Sequence, residues 1–365
     1  MLILYVESGA GSRALALTMQ QHLQRRGESS TLVSLSDILP SWLTRLLFDQ
    51  YYDWCLEGKQ HHSKLYGSRW FYPVLYKLLP CMLWFKGNDK QAIAKKLFSE
   101  HQQVLACSYY GAFFARYYCN KFSLKRSIHG VLGDYSISSG WQTPVDNLFV
   151  SHAYNNSVFD WHRSRLAAVH ASGIPALVSD TNNLYQVKRG QVMLCGGGWG
   201  LGITASIVSA LLGTHKVTRL QVVCGQNTAL FTQLTREFST YIDAQQLQVM
   251  GFVDDLSHLY QQAEILITKS GGITLTEASL TNTCMVISSA LPGQEQHNRA
   301  VFKEAGAVAV CDSVESLRDA VEQLLGNTQR KITLTNNAAT LVRHDAPDYI
   351  CNVLLNYYQE NRHVD

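Results

Sequence analysis

No two cysteines in this chain stand at C-x-x-C spacing, although nine are present, an odd number. That arithmetic gives neither a disulfide framework nor a paired metal or redox motif. Several of the thiols sit in apolar runs such as VMLCGGG and QVVCGQ, and they read as buried thiols of a reducing compartment. Long hydrophobic runs are also missing. The greasiest stretch, YPVLYKLLPCMLWF, is cut by Lys77 and Pro80 and is too short to span a bilayer. The N-terminal apolar run ends at Glu7, so no signal peptide is expected, and a cytoplasmic location is. Neither a solenoid-period repeat nor a low-complexity tract occurs. Nothing resembles a metal-binding Asp-x-Asp pair except Asp254-Asp255, which opens a helical pattern and reads as its cap. No metal and no other cofactor is therefore expected.

What is present fits two globular domains: 365 residues, 46% of them hydrophobic. The net charge of +3 hides an asymmetry. Residues 1–190 carry 20 Lys and Arg against 12 Asp and Glu, and residues 191–365 carry 11 against 16. A basic half joined to an acidic half points to one domain facing an anionic surface or substrate. Nucleic acid is not the expected partner, because the basic residues lie among tryptophans and apolar helices instead of along a stripe.

Short apolar runs alternate with helical patterns along most of the chain. In the first half MLILYV, STLVSL, QVLACS, SIHGVLG and NLFVSH read as strands. In the second, QVMLCGGG, LQVVCGQ, LQVMGFV, EILITKS, CMVISSA and AVAVC do. This alternation predicts α/β architecture with two doubly wound parallel sheets. The expected organisation is a first Rossmann-like domain over 1–172, a linker over 173–190, a second Rossmann-like domain over 191–345, and a last helix over 346–365 that crosses back. Residues 41–86 break the alternation. They hold Trp42, Trp54, Trp70 and Trp84 with Tyr72 and other tyrosines, interspersed with Lys77 and further basic residues. Trp and Tyr beside Lys and Arg on short helices suit the headgroup region of a membrane. The competing reading is an insertion whose aromatics pack on the core.

Four stretches fall at the C-terminal ends of predicted second-domain strands, where open α/β sheets take their ligands. The glycine-rich turn from Gly196 to Gly202, with Gly198 and Gly200, suits a diphosphate at a helix N-terminus. Gly251-Phe252-Val253 offers backbone groups and an aromatic wall to a base. Ser270-Gly271-Gly272-Ile273-Thr274 presents successive N–H groups at a helix start, and Glu277 lies one turn further, placed to accept two vicinal ribose hydroxyls. Gln294, Glu295 and Asn298 put amide, carboxylate and amide on the next loop, a set suited to sugar hydroxyls. Each of these stretches alone is also consistent with a helix cap.

With KSGGITLTEA, PGQEQHN, the GGGWG loop and the GF of VMGFV in place, the chain resembles the GT-B glycosyltransferases of family 28. Within that family it is similar to the diacylglycerol glycosyltransferases and, more distantly, to the GlcNAc transferase that forms lipid II. The first half adds the SGAG loop, GDYSISSGW, VDNLFVSH and SGIP. The resemblance implies two Rossmann-like domains facing across a cleft and an inverting transfer of a hexose from a UDP-sugar. It implies that Val253 meets the uracil, Glu277 the ribose, Gly198, Gly271, Gly272 and Thr274 the diphosphate, and Gln294 and Glu295 the sugar. It places 41–86 where the family inserts its membrane- and acceptor-binding segment, with the protein peripheral on the inner face of a membrane.

The first half departs from the family pattern at two points. Ser12 stands where a histidine usually follows the first glycine loop, and Ser138 where the Asp-aromatic-x-x-His-x-x-Trp stretch has its histidine, leaving Asp134 and Trp141. A serine hydroxyl is no base at neutral pH without an activating neighbour. Asp134 is therefore the candidate base, with Ser12 and His152 as further catalytic candidates and His129 as another substitute. Two other readings stay open: a non-lipid acceptor such as a phenol, carboxylate or sugar, and a nucleotide-sugar-binding protein with little turnover. A non-hydrolysing epimerase shares the architecture but calls for acidic and histidine residues clustered in the first domain, and these are sparse.

Overall fold

The computed structural model describes residues 1–7, 10–49, 71–86, 89–153, 168–178, 186–291 and 293–361. Trp54, Trp70 and the middle of the expected linker lie outside the described residues. The chain divides into two compact units, one built chiefly from Met1–Ala176 with His344–Asp365, the other from Leu177–Leu291 with Glu295–Arg343.

The first unit carries β1 (Leu2–Tyr5), β2 (Thr31–Ser34), β3 (Gln103–Ala106), β4 (Ser127–Val131), β5 (Asn147–Val150) and β6 (Ala168–Ala171). All pair in parallel, in the order β2-β1-β3-β4-β5-β6. The continuous apolar runs follow from this topology: with helices on both faces, Leu2, Ile3 and Leu4 of β1 are all fully buried. The order reverses between β1 and β3, which makes the C-terminal ends of those two strands a topological switch point. Sequence reading missed β6, a short Ala-Val-His-Ala edge strand with little apolar signal. The helix Ala346–Asn361 belongs to this unit. Arg26 donates to Asp348 Oδ1 at 2.9 Å, and Gln103 donates its side-chain amide to the Leu354 carbonyl at 3.2 Å.

One helix, Phe71–Lys86, covers the greasy stretch that Lys77 and Pro80 punctuate. The helix runs through Pro80. Proline there removes the N–H that would bond the Tyr76 carbonyl and sets its ring against that carbonyl, a cost that packing of the helix on the core offsets. Tyr72, Leu79 and Leu83 are buried in the core on one side of this helix.

The second unit carries β7 (Lys188–Cys195), β8 (Arg219–Val223), β9 (Leu247–Met250), β10 (Ala263–Lys269), β11 (Met285–Ser289) and β12 (Ala309–Val310). These are parallel in the order β12-β11-β10-β7-β8-β9. The reversal falls between β7 and β10, so the loops after Cys195 and after Lys269 are the ones topology assigns to a ligand. β7 begins at Lys188, earlier than the expected domain boundary, because Gly190 N–H is held by the Glu264 carboxylate, which also pairs with Lys331.

Candidate active site

Lys269 ends β10, and its ammonium pairs with the Glu295 carboxylate. Both side chains are largely withdrawn from solvent, at 16% and 12% exposure. A Cβ on Gly197 would lie 3.0 Å from Lys269 Cε, and one on Gly271 would lie 3.0 Å from its Nζ. Glycine at both positions thus makes room for a cation between the two switch-point loops. Gly197 also needs its positive φ of 70°, which other residues adopt at a cost. Sequence reasoning had quoted Lys269 without giving it a role. The available signal was a lone lysine closing an otherwise apolar strand.

Two helices start beside this cation. The helix Gly272–Leu280 follows Gly271, which caps it without a side-chain bond, so its first N–H groups have no capping side chain. The helix Gln294–Glu304 begins at Gln294 and carries Glu295 in its first turn. Glu295 Oε2 accepts from the Leu291 N–H at 2.9 Å, which fixes the carboxylate that faces Lys269. The side chains of Ser270 and Asn298, both among the expected donor-site residues, bond within the protein. Both are fully buried: the Ser270 hydroxyl donates to the Glu295 carbonyl at 2.8 Å, and the Asn298 amide donates to the Ser270 carbonyl at 3.0 Å. They tie the loops after β10 and β11 together.

Glu277 stands one turn into the helix that Gly272 opens. The Tyr260 hydroxyl donates to its Oε2 at 3.3 Å, and the Thr274 side chain bonds the same hydroxyl. Burial pushes the Glu277 carboxyl up to about 8, with the Tyr260 bond acting weakly in the other direction. The Gly198 carbonyl accepts from Gln226 N–H at 2.8 Å, and Gly200 caps its short turn in the left-handed conformation at φ 61°. A Cβ on Gly200 would lie 2.5 Å from the Cys224 carbonyl oxygen, so close packing of the loops after β7 and β8 requires glycine there. Val253 is half-buried in the loop after β9, beside Phe252, which is 43% exposed. Asp255 accepts from Ser257 N–H at 2.8 Å, as a cap does. Among the described residues no group of three His, Cys, Asp or Glu side chains is placed to hold a metal ion.

In the first unit Ser12, Asp134 and His152 all lie at the C-terminal edge of the sheet, Ser12 in the first turn of the helix Ala10–Arg25 that follows β1, Asp134 after β4 and His152 after β5. Ser12, one of the catalytic candidates, ties two strand ends together. Its Oγ accepts from Val6 N–H at 3.2 Å and donates to the Cys107 carbonyl at 3.1 Å, so its proton and a lone pair are both committed. His129 is also set aside as a base: it is fully buried against Asn147, and burial lowers it to about 4. Asp134 is half-buried in the loop after β4, and His152 is exposed just after β5.

The expected acceptor and membrane residues divide. Trp141 and Tyr72 are 4% and 2% exposed and belong to the core, and Trp42 packs partly buried against it. Trp141 covers Gly130 so tightly that a Cβ there would lie 2.5 Å from the indole. Trp84 is 77% exposed, with Phe85 at 79%, Leu78 at 52%, Val74 at 53% and Lys77 also exposed. At about 100° per residue, Val74, Leu78 and Phe85 fall on one face of their helix, opposite Tyr72, Leu79 and Leu83. No helix among the described residues is long and apolar enough to cross a membrane.

The fold finds counterparts over its whole length. MurG of Acinetobacter baumannii superposes with a TM-score of 0.54 at 14% identity, covering 97% of this chain and 99% of that one. Anabaena Alr3699/HepE, solved with UDP and glucose, does so with 0.56 at 14% identity, covering 98% and 100%. Two such sheets define the GT-B class. The family described as glycosyl transferases group 1 matches residues 209–340, within the second unit. The processive diacylglycerol beta-glucosyltransferase of Bacillus licheniformis is 23% identical over 355 residues, 93% of this chain and 90% of that protein. The chain is a GT-B glycosyltransferase that resembles the diacylglycerol glucosyltransferases of family 28.

Proposed function

We propose that this glycosyltransferase moves a hexose from a UDP-sugar to a membrane-associated acceptor of the glycolipid type, with inversion at the anomeric carbon. The observation that carries the donor half is Lys269, held between two glycine loops at the β7/β10 switch point, beside the start of the helix Gly272–Leu280. A diphosphate seated on that helix N-terminus would draw Lys269 away from Glu295. The ammonium then offsets the charge that grows on UDP as the anomeric C–O bond breaks. Glu295, released, turns with Gln294 to the sugar hydroxyls. Glu277 accepts the ribose hydroxyls, and the Val253 backbone meets the base. On the acceptor side Asp134 takes the proton from the attacking hydroxyl, so a single base suffices. A UDP- and glucose-bound protein of the same fold and a diacylglycerol-specific relative of similar length support this choice of donor and acceptor.

The exposed face of the helix Phe71–Lys86 supports the membrane half. Tryptophan, phenylalanine and leucine beside a lysine fit the boundary between headgroups and acyl chains, and the protein then works as a peripheral enzyme on the inner face of a membrane. Calorimetry across a set of UDP-sugars tests the donor assignment. One UDP-sugar should bind, and Glu277→Ala should abolish that binding; if none binds, the reading falls. Asp134→Asn should stop transfer while UDP still binds, and full activity in that variant would exclude Asp134 as the base.

A further inference from the structure

The helix Phe71–Lys86 has two faces with different business. Its exposed face is the apolar one described above. From its other side the Tyr76 hydroxyl donates to the Gly140 carbonyl at 2.9 Å, stacked on Phe113 with ring centroids 4.3 Å apart at 14°. Gly140 belongs to the loop that follows β4 and carries Asp134 at one end and Trp141 at the other. That loop lies so close on Tyr109 that a Cβ on Gly140 would sit 2.6 Å from the ring, and Tyr109 in turn accepts from the Tyr72 hydroxyl at 2.9 Å. The loop's end is therefore seated on tyrosines that the helix supplies or orders. Pro80 sits four residues after Tyr76 and cannot donate to its carbonyl, so the helix has its weakest turn between the anchoring tyrosines and the outermost aromatics, Trp84 and Phe85.

We propose that Tyr76 is a positioning residue through which bilayer docking of the exposed face orders the Asp134–Trp141 loop. The inference rests on the proposed acceptor-side role of Asp134 and on a bilayer as the surface this helix meets. A bilayer that takes up Val74 and Leu78 together with Trp84 and Phe85 restrains the helix on both sides of Pro80. The Tyr76 hydroxyl transmits that restraint to Gly140. Tyr76 touches neither donor nor acceptor; it acts through the loop.

Hydrogen exchange of the full chain, with and without vesicles of phosphatidylglycerol and phosphatidylethanolamine, reads the coupling without relying on catalysis. Exchange across residues 134–141 should slow when vesicles bind to the wild-type protein. In Tyr76→Phe the vesicles should still bind, because the exposed face is intact, but the slowing should be lost. Where transfer is measured with vesicle-borne acceptor, Tyr76→Phe should lower kcat about tenfold with KM for the UDP-sugar unchanged. Tyr118→Phe, which removes a still more deeply buried tyrosine–carbonyl bond to Ile38 away from this loop, sets the scale for a purely structural loss. Unchanged exchange in the wild-type protein on vesicle binding overturns the proposal. So does a Tyr76→Phe enzyme whose loop is still slowed, or whose kcat matches that of Tyr118→Phe. Absence of transfer from every UDP-sugar sinks the functional reading instead, and the exchange result stands apart from it.

Discussion

The Ser12 hydroxyl donates to the Cys107 carbonyl at 3.1 Å while accepting from Val6 N–H, and so joins the ends of β1 and β3 at the switch point of the first sheet. The serine at the position of the family's histidine thus holds backbone to backbone. Ser12→Ala should cost about 1–2 kcal/mol, because it strands a part-buried N–H and a carbonyl. Scanning calorimetry should show the lower melting temperature, with kcat changed by less than about threefold, an effect under 1 kcal/mol on the barrier. Loss of transfer on the scale of Asp134→Asn would return Ser12 to the chemistry.

Glu277 makes donor binding depend on pH. Its carboxyl titrates near 8 in the unliganded protein, and ribose hydroxyls favour the charged form. UDP should therefore bind more tightly as pH rises from about 6.5 to 8.5, by at most tenfold per unit, with proton release on binding. Glu277→Gln should flatten that dependence. The stability effect has the opposite sign. The folded state holds this proton more tightly than the unfolded chain, so the stabilisation is present below the ordinary carboxylate range and lost as pH rises through about 8. Thermal shifts by UDP should accordingly be larger at the alkaline end.

The Lys269–Glu295 pair should be costly to halve and cheap to replace. Lys269→Met leaves a carboxylate of 12% exposure without its cation, which costs about 3 kcal/mol. Lys269→Met with Glu295→Leu together should recover most of the stability. Neither variant should recover UDP affinity, since the cation that meets the diphosphate is gone. Denaturant unfolding measures the first effect and calorimetry the second. Recovery of UDP affinity in the double variant would remove Lys269 from the donor site.

Trp84→Ser with Phe85→Ser should leave the melting temperature within about 1 °C, because substitutions at exposed positions are usually near neutral. Co-sedimentation with anionic vesicles should fall severalfold. Equal sedimentation would direct the search to another surface of the first unit.

Every strand but β6 was legible because a two-face-buried parallel strand writes itself as a continuous apolar run, as in Leu2–Tyr5 and Ala263–Lys269. Less legible was anything decided by a tertiary partner. Ser270 and Asn298 carry ligand chemistry in their side chains but are consumed in a loop-to-loop tie that no local pattern announces. Trp141 and Trp84 are the same residue type and look alike in the sequence, yet one covers Gly130 and the other faces solvent. Lys269 escaped for the reverse reason. A single lysine carries no periodicity, and its meaning comes from the glycines that the fold brings to either side of it.

The helix Ala346–Asn361 gives the first unit an unusual birth order. Arg26 and Asp348 are 322 residues apart, and Gln103 and Leu354 are 251 apart, yet both pairs are internal to that unit. During synthesis the second unit emerges with all its strands already made and is free to fold while the chain is still on the ribosome. The first must wait, with part of its surface uncovered, until the last helix arrives. The half of the protein translated earliest is thus completed only once that helix has been made.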